Sequence, residues 1–139
     1  MSKSAIEKEL DRAGRILQIT VGDSMEPMLK NRQNAVLLEK AEGILKKYDL
    51  PLYKRPNGQY VLHRIIKVRK KDYITCGDNR WKTEVIPHEW VIACTSGYYK
   101  GGSFISADDE NYRKYLKTLC IRRKKLWIKS IVKRLFNEK

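Results

Sequence analysis

A hydroxyl at Ser24 and an imidazole at His63 are the chain's most suggestive pair of reactive groups. The serine sits in Gly22-Asp23-Ser24-Met25-Glu26-Pro27-Met28-Leu29, where a Met-x-Pro turn would hold it at the end of a strand. The histidine sits in Tyr60-Val61-Leu62-His63-Arg64-Ile65, on a later strand-like run. A serine hydroxyl is a poor nucleophile until a neighbouring base takes its proton, and an imidazole with an unperturbed pKa of about 6.5 can take it at neutral pH. If the fold brings the two together, they form the acyl-transfer pair of a serine hydrolase. Each also has a plainer role open to it: Ser24 as a turn residue capping segment 25–29, His63 as a half-buried strand residue.

The elements that must position this pair follow from local pattern. Ser4-Ala5-Ile6-Glu7 reads as a capping box, and Ala5, Ile6, Leu10 and Ala13 recur at helical spacing before Gly14, which predicts a short helix over 4–13. Residues 15–21 alternate, with Ile16, Gln18 and Thr20 on one side and Leu17, Ile19 and Val21 on the other, the pattern of a strand that delivers Ser24. A second strand is expected around Ala35-Val36-Leu37-Leu38 and a third over 50–54, which Pro51 marks as an edge or a bulged strand. Pro56-Asn57-Gly58 is a turn signal that predicts a hairpin of 50–55 with 59–68. Arg69-Lys70-Lys71-Asp72 reads as a polar turn, 73–76 as a strand and Gly77-Asp78-Asn79-Arg80 as a loop; further short strands are expected over 89–96, 97–100 and 103–106.

The first hundred residues are therefore expected to be mostly β, with a change of texture at Asp108. Asp108-Asp109-Glu110 would start a long helix in which Tyr112, Leu116, Leu119, Trp127, Ile131 and Leu135 fall near one stripe. From Arg113 to Arg134 there are ten Lys or Arg and no acid, so the opposite face is strongly basic. The expected division is a β catalytic domain with its N-terminal helix over 1–107 and a basic helical extension over 108–139.

At 139 residues and 42% hydrophobic content with a mean hydropathy of -0.59, the chain is long enough to bury a core and too apolar to be disordered. The formal net charge of +14 calls for an acidic partner, whether anionic lipid, nucleic acid or acidic peptide. Cys76, Cys94 and Cys120 are odd in number and widely spaced, which points away from a disulfide framework and a zinc site and towards reduced, partly buried cysteines. No window approaches the roughly 20 apolar residues that span a bilayer, and the N-terminus lacks the apolar run of a secretory signal. The expected location is the cytoplasm, or the inner face of the membrane as a peripheral protein.

Ser24-Met25-Glu26-Pro27-Met28 resembles the Ser-Met-x-Pro box of the signal peptidase I superfamily of serine proteases, whose fold is shared by the self-cleaving SOS repressors. Three further stretches agree in order and spacing, over roughly residues 16–102. Tyr48-Asp49-Leu50-Pro51-Leu52-Tyr53 is similar to its Gly-Asp-hydrophobic strand, Val61-Leu62-His63-Arg64-Ile65 to its base-bearing box, and Gly77-Asp78-Asn79 to its Gly-Asp-Asn box. Bacterial enzymes of that superfamily typically use lysine as base, whereas the endoplasmic-reticulum, archaeal and sporulating-bacterium types carry His-Arg, as here. The resemblance implies that Ser24 is the nucleophile and His63 the general base, with Gly22, Asp23, Asn79 and Arg64 supporting the site. Glu84, six positions after Asp78, falls where the histidine type has its acid; Glu84 and Asp78 are competing candidates for orienting the imidazole.

Three positions depart from the pattern. Gly22 replaces a serine often found two before the nucleophile, which would leave oxyanion stabilisation to backbone N–H groups such as that of Ser24. Tyr48 replaces a glycine, and the transmembrane anchor that usually precedes the serine box is missing. These features imply a Ser-His endopeptidase without a cofactor, trimming a leader-like or signal-like peptide at small residues. The substrate would add as a strand along Gln18, Ile19, Thr20 and Val21. The basic helix would either pack with a solvated charged face or meet anionic lipid through Leu126-Trp127-Ile128 and Leu135-Phe136. Nucleic-acid binding is disfavoured, since no groove-reading or single-strand motif accompanies the charge. The rival reading is a non-catalytic basic module on the same fold that binds peptide, membrane or nucleic acid.

Overall fold

The computed structural model describes residues 3–137. The chain is mostly β, with two antiparallel sheets, one helix before them and two after. Helix α1 (Ala5–Ala13) begins at an N-cap where Ser4 and Glu7 form the expected capping box, and ends at Gly14 in the left-handed region. Strands β1 (Arg15–Ile19), β2 (Ala35–Lys40), β3 (Pro51–Lys54), β4 (Tyr60–Leu62) and β8 (Val91–Lys100) form the larger sheet in the order β1-β2-β8-β3-β4, with β9 (Ser103–Ser106) added to β8. Strands β5 (Arg64–Val68), β6 (Asp72–Cys76) and β7 (Glu84–Pro87) form the smaller one.

The sheets differ from the sequence expectation: β7 is an added strand, and the two strands expected over 89–96 and 97–100 are a 3-10 turn, His88–Trp90, and the single strand β8. Residues 59–68 are not one strand: β4 pairs with β3 across the Pro56-Asn57-Gly58 turn, then the chain leaves for the second sheet, and His63 is the single residue between. Strand β3 is interior, flanked by β4 and β8, so of the two readings of Pro51 the bulged strand holds and the edge does not. Pro51 is tolerated because it is the first residue of its strand, and a bulge between Leu52 and Tyr53 follows it on the β8 side.

The sheets are joined by a cluster of Tyr53 and Val61 from the larger with Ile65, Tyr73 and Ile86 from the smaller, all buried. Burying each such side chain fully contributes about 1.5–3 kcal/mol. The larger core, Leu10, Met25, Met28, Leu29, Val36, Leu38, Leu50, Leu52, Ala93, Tyr98 and Tyr112, lies between the big sheet, α1, the serine turn and helix α2 (Glu110–Lys117). Tyr112 thus ties the C-terminal helices into the same core as the β strands. Cys76 is buried, Cys94 half-buried and Cys120 exposed. Burial pushes the thiol of Cys76 up to about 11 and that of Cys94 up to about 12.

The single long C-terminal helix expected from sequence is broken at Thr118 into α2 and α3 (Leu119–Asn137). Its expected packing stripe holds only at the start: Tyr112 and Leu119 are buried, whereas Trp127 and Leu135 face solvent because α3 runs on beyond the cores. Among the described residues, no helix is long and apolar enough to cross a membrane.

Glu7 closes α1 onto the β3–β4 hairpin. Its Oε2 accepts from Tyr60 Oη at 2.7 Å, Lys54 Nζ at 3.1 Å and the Ser4 backbone N–H at 3.1 Å. Burial pushes this carboxyl up, but those donors and the Lys54 charge outweigh it and hold it down at about 2. Because the folded pKa is depressed, this contribution is present above the ordinary carboxylate range and is lost as pH falls from about 4.5 towards 2. Glu7→Ala is expected to lower the unfolding free energy by about 2 kcal/mol at neutral pH, read from denaturant titration, with the deficit shrinking as pH falls through that window.

Candidate active site

Ser24 stands in the turn after β1, and its position follows from the residues on either side. Gly22 has φ +95°, in the left-handed region that glycine enters without penalty. That is the physical reason a serine is absent there. Its N–H donates to Asn31 Oδ1 at 2.7 Å, fixing the approach to Ser24. Met25, Met28 and Leu29 bury themselves in the main core and seat the turn.

The Gly77-Asp78-Asn79 loop grips this turn from the far side. Asn79 N–H donates to Ser24 O at 2.8 Å, and Asn79 Nδ2 donates to Asp23 O at 3.1 Å. Asp23 also pairs with Arg80 at 2.5 Å, though both side chains are exposed and such a pair contributes little. Gly77 is required by proximity: a Cβ there would lie 2.7 Å from Ser24 O and 3.2 Å from Ser24 Cβ. Gly77→Ala must therefore displace the serine backbone. A cost of about 1–3 kcal/mol in stability is expected by denaturant titration.

His63 stands at the joint between the two sheets and lines two cavities, one shared with Ser24 and one with Glu84. One cavity of about 370 Å³ is lined by Ser24, His63, Gly22 and all four edge candidates, Gln18, Ile19, Thr20 and Val21. Its depth is apolar, formed by Ile6, Leu29, Val36, Leu38, Leu52 and Leu62. Among the described residues, Ser24 Oγ and both ring nitrogens of His63 have no hydrogen-bond partner, and none of the three is among the buried polar atoms left unsatisfied, where only Thr95 Oγ1 appears. These atoms are therefore not sealed in the protein interior. The Ser24 N–H is likewise free of a backbone acceptor among the described residues, one donor ready for an oxyanion.

Glu84 and Asp78 have different surroundings. Glu84 shares a second cavity with His63, Arg55 and Arg80. Its carboxylate accepts from Arg55 Nε at 3.0 Å, Arg55 Nη2 at 2.9 Å and Tyr53 Oη at 2.7 Å; no hydrogen bond joins it to His63. Burial pushes Glu84 up, but Arg55 and Tyr53 outweigh it and hold it below the usual carboxylate range. Its charge reaches the imidazole through space. Burial, the largest influence, lowers the pKa of His63, Glu84 acts in the opposite direction, and Arg55 and Arg80 add to the lowering. The imidazole is thus kept neutral, the form a general base needs.

Asp78 is given over to structure. Its two oxygens accept from Arg64 Nε and Nη2, both at 2.9 Å, and Oδ2 also accepts from Tyr115 Oη at 2.7 Å. Arg64 is fully buried and donates in addition to Tyr48 O at 2.9 Å and Tyr112 Oη at 2.5 Å. Its support for the site is therefore indirect, through Asp78 and the loop that grips Ser24. Tyr48, where the resembling pattern has glycine, has φ +75°, a left-handed conformation held by its N–H to Ile65 O at 2.7 Å and by Arg64.

Sequence reasoning missed Arg55, Tyr53, Tyr112, Tyr115 and Arg122. Arg122 donates from Nε to Asp78 O and from Nη2 to Asn79 Oδ1, both at 3.0 Å. The spacing of Tyr112, Tyr115 and Arg122 along helical turns was a signal of a shared face, but its target on the β domain had none. Compared with known proteins, the chain matches no protein-family model and no curated protein.

Proposed function

We propose that this protein is a serine endopeptidase of the signal peptidase I type, with Ser24 as nucleophile and His63 as general base. The observation that carries the reading is that Ser24 and His63 line one cavity together with β1 residues Gln18 and Ile19. Among the described residues strand β1 pairs with β2 alone, which leaves its other edge for an added strand. Thr20 N–H donates to Asn34 O and Thr20 O accepts from Arg32 N–H, both on the β2 side. Alternation then turns the N–H and C=O of Leu17 and Ile19 towards the free edge. A peptide bound there would place an apolar side chain in the cavity.

In the proposed reaction Ser24 Oγ attacks the scissile carbonyl carbon as His63 takes the hydroxyl proton. The tetrahedral intermediate's oxyanion accepts from the Ser24 N–H. Its collapse breaks the C–N bond, with the proton passing from His63 to the leaving amine, and water hydrolyses the acyl-enzyme by the same path. Glu84 acts as a positioning residue through its field and through Arg55.

The test is to incubate the chain with a library of extended peptides rich in apolar residues, and separately with a fluorophosphonate, and to analyse both products and protein by mass spectrometry. Cleavage with an acyl or fluorophosphonate adduct on Ser24, both absent from Ser24→Ala, is the expected result. Undiminished cleavage by Ser24→Ala, or neither cleavage nor adduct in the unaltered chain, overturns the reading.

A further inference from the structure

Helix α3 carries a surface that the peptidase reading leaves unused. Its side towards the protein holds Leu119, which is buried, and Arg122, Arg123, Leu126 and Ser130, which are half-buried. On the other side Ile121, Ile128, Val132 and Leu135 fall on one stripe, spaced seven, four and three residues apart. They are 60%, 53%, 44% and 59% exposed, and Phe136 at the end is 71% exposed. Lys124, Lys125 and Lys129 lie within or beside the stripe, and α3 has seven Lys or Arg and no acid.

We propose that α3 is an interfacial helix that seats the protein on an anionic lipid surface, its apolar stripe entering the headgroup boundary and its lysines meeting lipid phosphates. Charge selects this occupant. A second copy of the chain would bring seven cations against seven across the seam with no acid to offset them. A nucleic acid would answer the charge but offer no apolar layer to cover isoleucine, valine and leucine. The helix is too polar to cross a bilayer, so it lies along one. It is also wired to the serine: Arg122 in its first turns holds Asp78 O and Asn79 Oδ1, and Asn79 holds Ser24 O. A helix ordered on lipid therefore steadies the loop that grips Ser24. The proposal concerns where the chain sits and is independent of the peptidase reading.

The experiment is cosedimentation of the full chain with phosphatidylcholine vesicles made with and without phosphatidylglycerol, with circular dichroism to confirm folding. Binding to the anionic vesicles is expected, weaker by at least about tenfold when phosphatidylglycerol is omitted. Each of Lys124→Gln, Lys125→Gln and Lys129→Gln should weaken it about fivefold. The double variant Ile128→Glu/Leu135→Glu, altered only at solvent-facing positions, should weaken it at least about tenfold. Absence of binding to either vesicle, or equal binding to both, overturns the proposal. So does full binding by the double variant, which would move the contact to the exposed sheet residues Leu17, Ile19 and Phe104. A dimer abolished by the double variant, or oligonucleotide binding as tight as vesicle binding and indifferent to it, overturns it as well.

Discussion

Replacing Arg64 with methionine is expected to lower the unfolding free energy by about 3–5 kcal/mol, a large share of the 5–15 kcal/mol typical of a domain. The cause is what remains behind. The Asp78 side chain is 1% exposed, and without the guanidinium its charge would keep only Tyr115 and lose both 2.9 Å bonds. Burial works against the charge on Arg64, but Asp78 and Tyr112 outweigh it and the folded state holds the cation firmly. The same change frees Tyr48 O and Tyr112 Oη, so the second-box turn and helix α2 lose their common tie. Denaturant titration of Arg64→Met, Asp78→Asn and the double variant checks this. The double variant should recover at least about 1 kcal/mol relative to the sum of the single losses, because it leaves no lone buried charge. A loss below about 1 kcal/mol in Arg64→Met would show that the pair is not the fold's central polar tie.

The second large effect is on turnover. His63→Ala is expected to reduce peptide hydrolysis on the order of a thousandfold to ten-thousandfold while leaving the fold in place, since the imidazole makes no hydrogen bond among the described residues that its loss would orphan. The pH dependence carries a sign. A base works when neutral, so activity should hold at neutral pH and fall as pH drops through the His63 pKa, which burial places below the ordinary histidine value. Glu84→Gln removes the charge that opposes that lowering and releases Arg55, which adds to it. The acid limb of the profile should therefore move to lower pH in Glu84→Gln. Measuring kcat/KM against pH in both enzymes decides the matter; an acid limb that stays in place would remove Glu84 from any positioning role.

Asp78 shows why site assignment from sequence stops where it does. It lies in the most site-like tripeptide of the chain, yet its carboxylate belongs to Arg64 and Tyr115. Nothing local to Gly77-Asp78-Asn79 says which way the side chain turns. Glu84 lay open between a solvated loop position and a partner of His63; its ties to Arg55 and Tyr53 cross from one sheet to the other.

Features with local causes were legible in the sequence: the Ser4–Glu7 capping box, the alternation of β1, the Pro56-Asn57-Gly58 turn and the Met-x-Pro turn holding Ser24. Neighbours within a few residues set these through backbone sterics and side-chain periodicity. Only the tertiary structure decided that His63 stands alone between two sheets, that β3 is interior, that Gly77 has no room for a methyl beside Ser24, and that Arg122 reaches back to the serine loop. It also decided that the outer stripe of α3 is left uncovered. Those outcomes depend on which surfaces meet across dozens of residues, and pairing of that kind is set by packing and buried charge rather than by any local pattern.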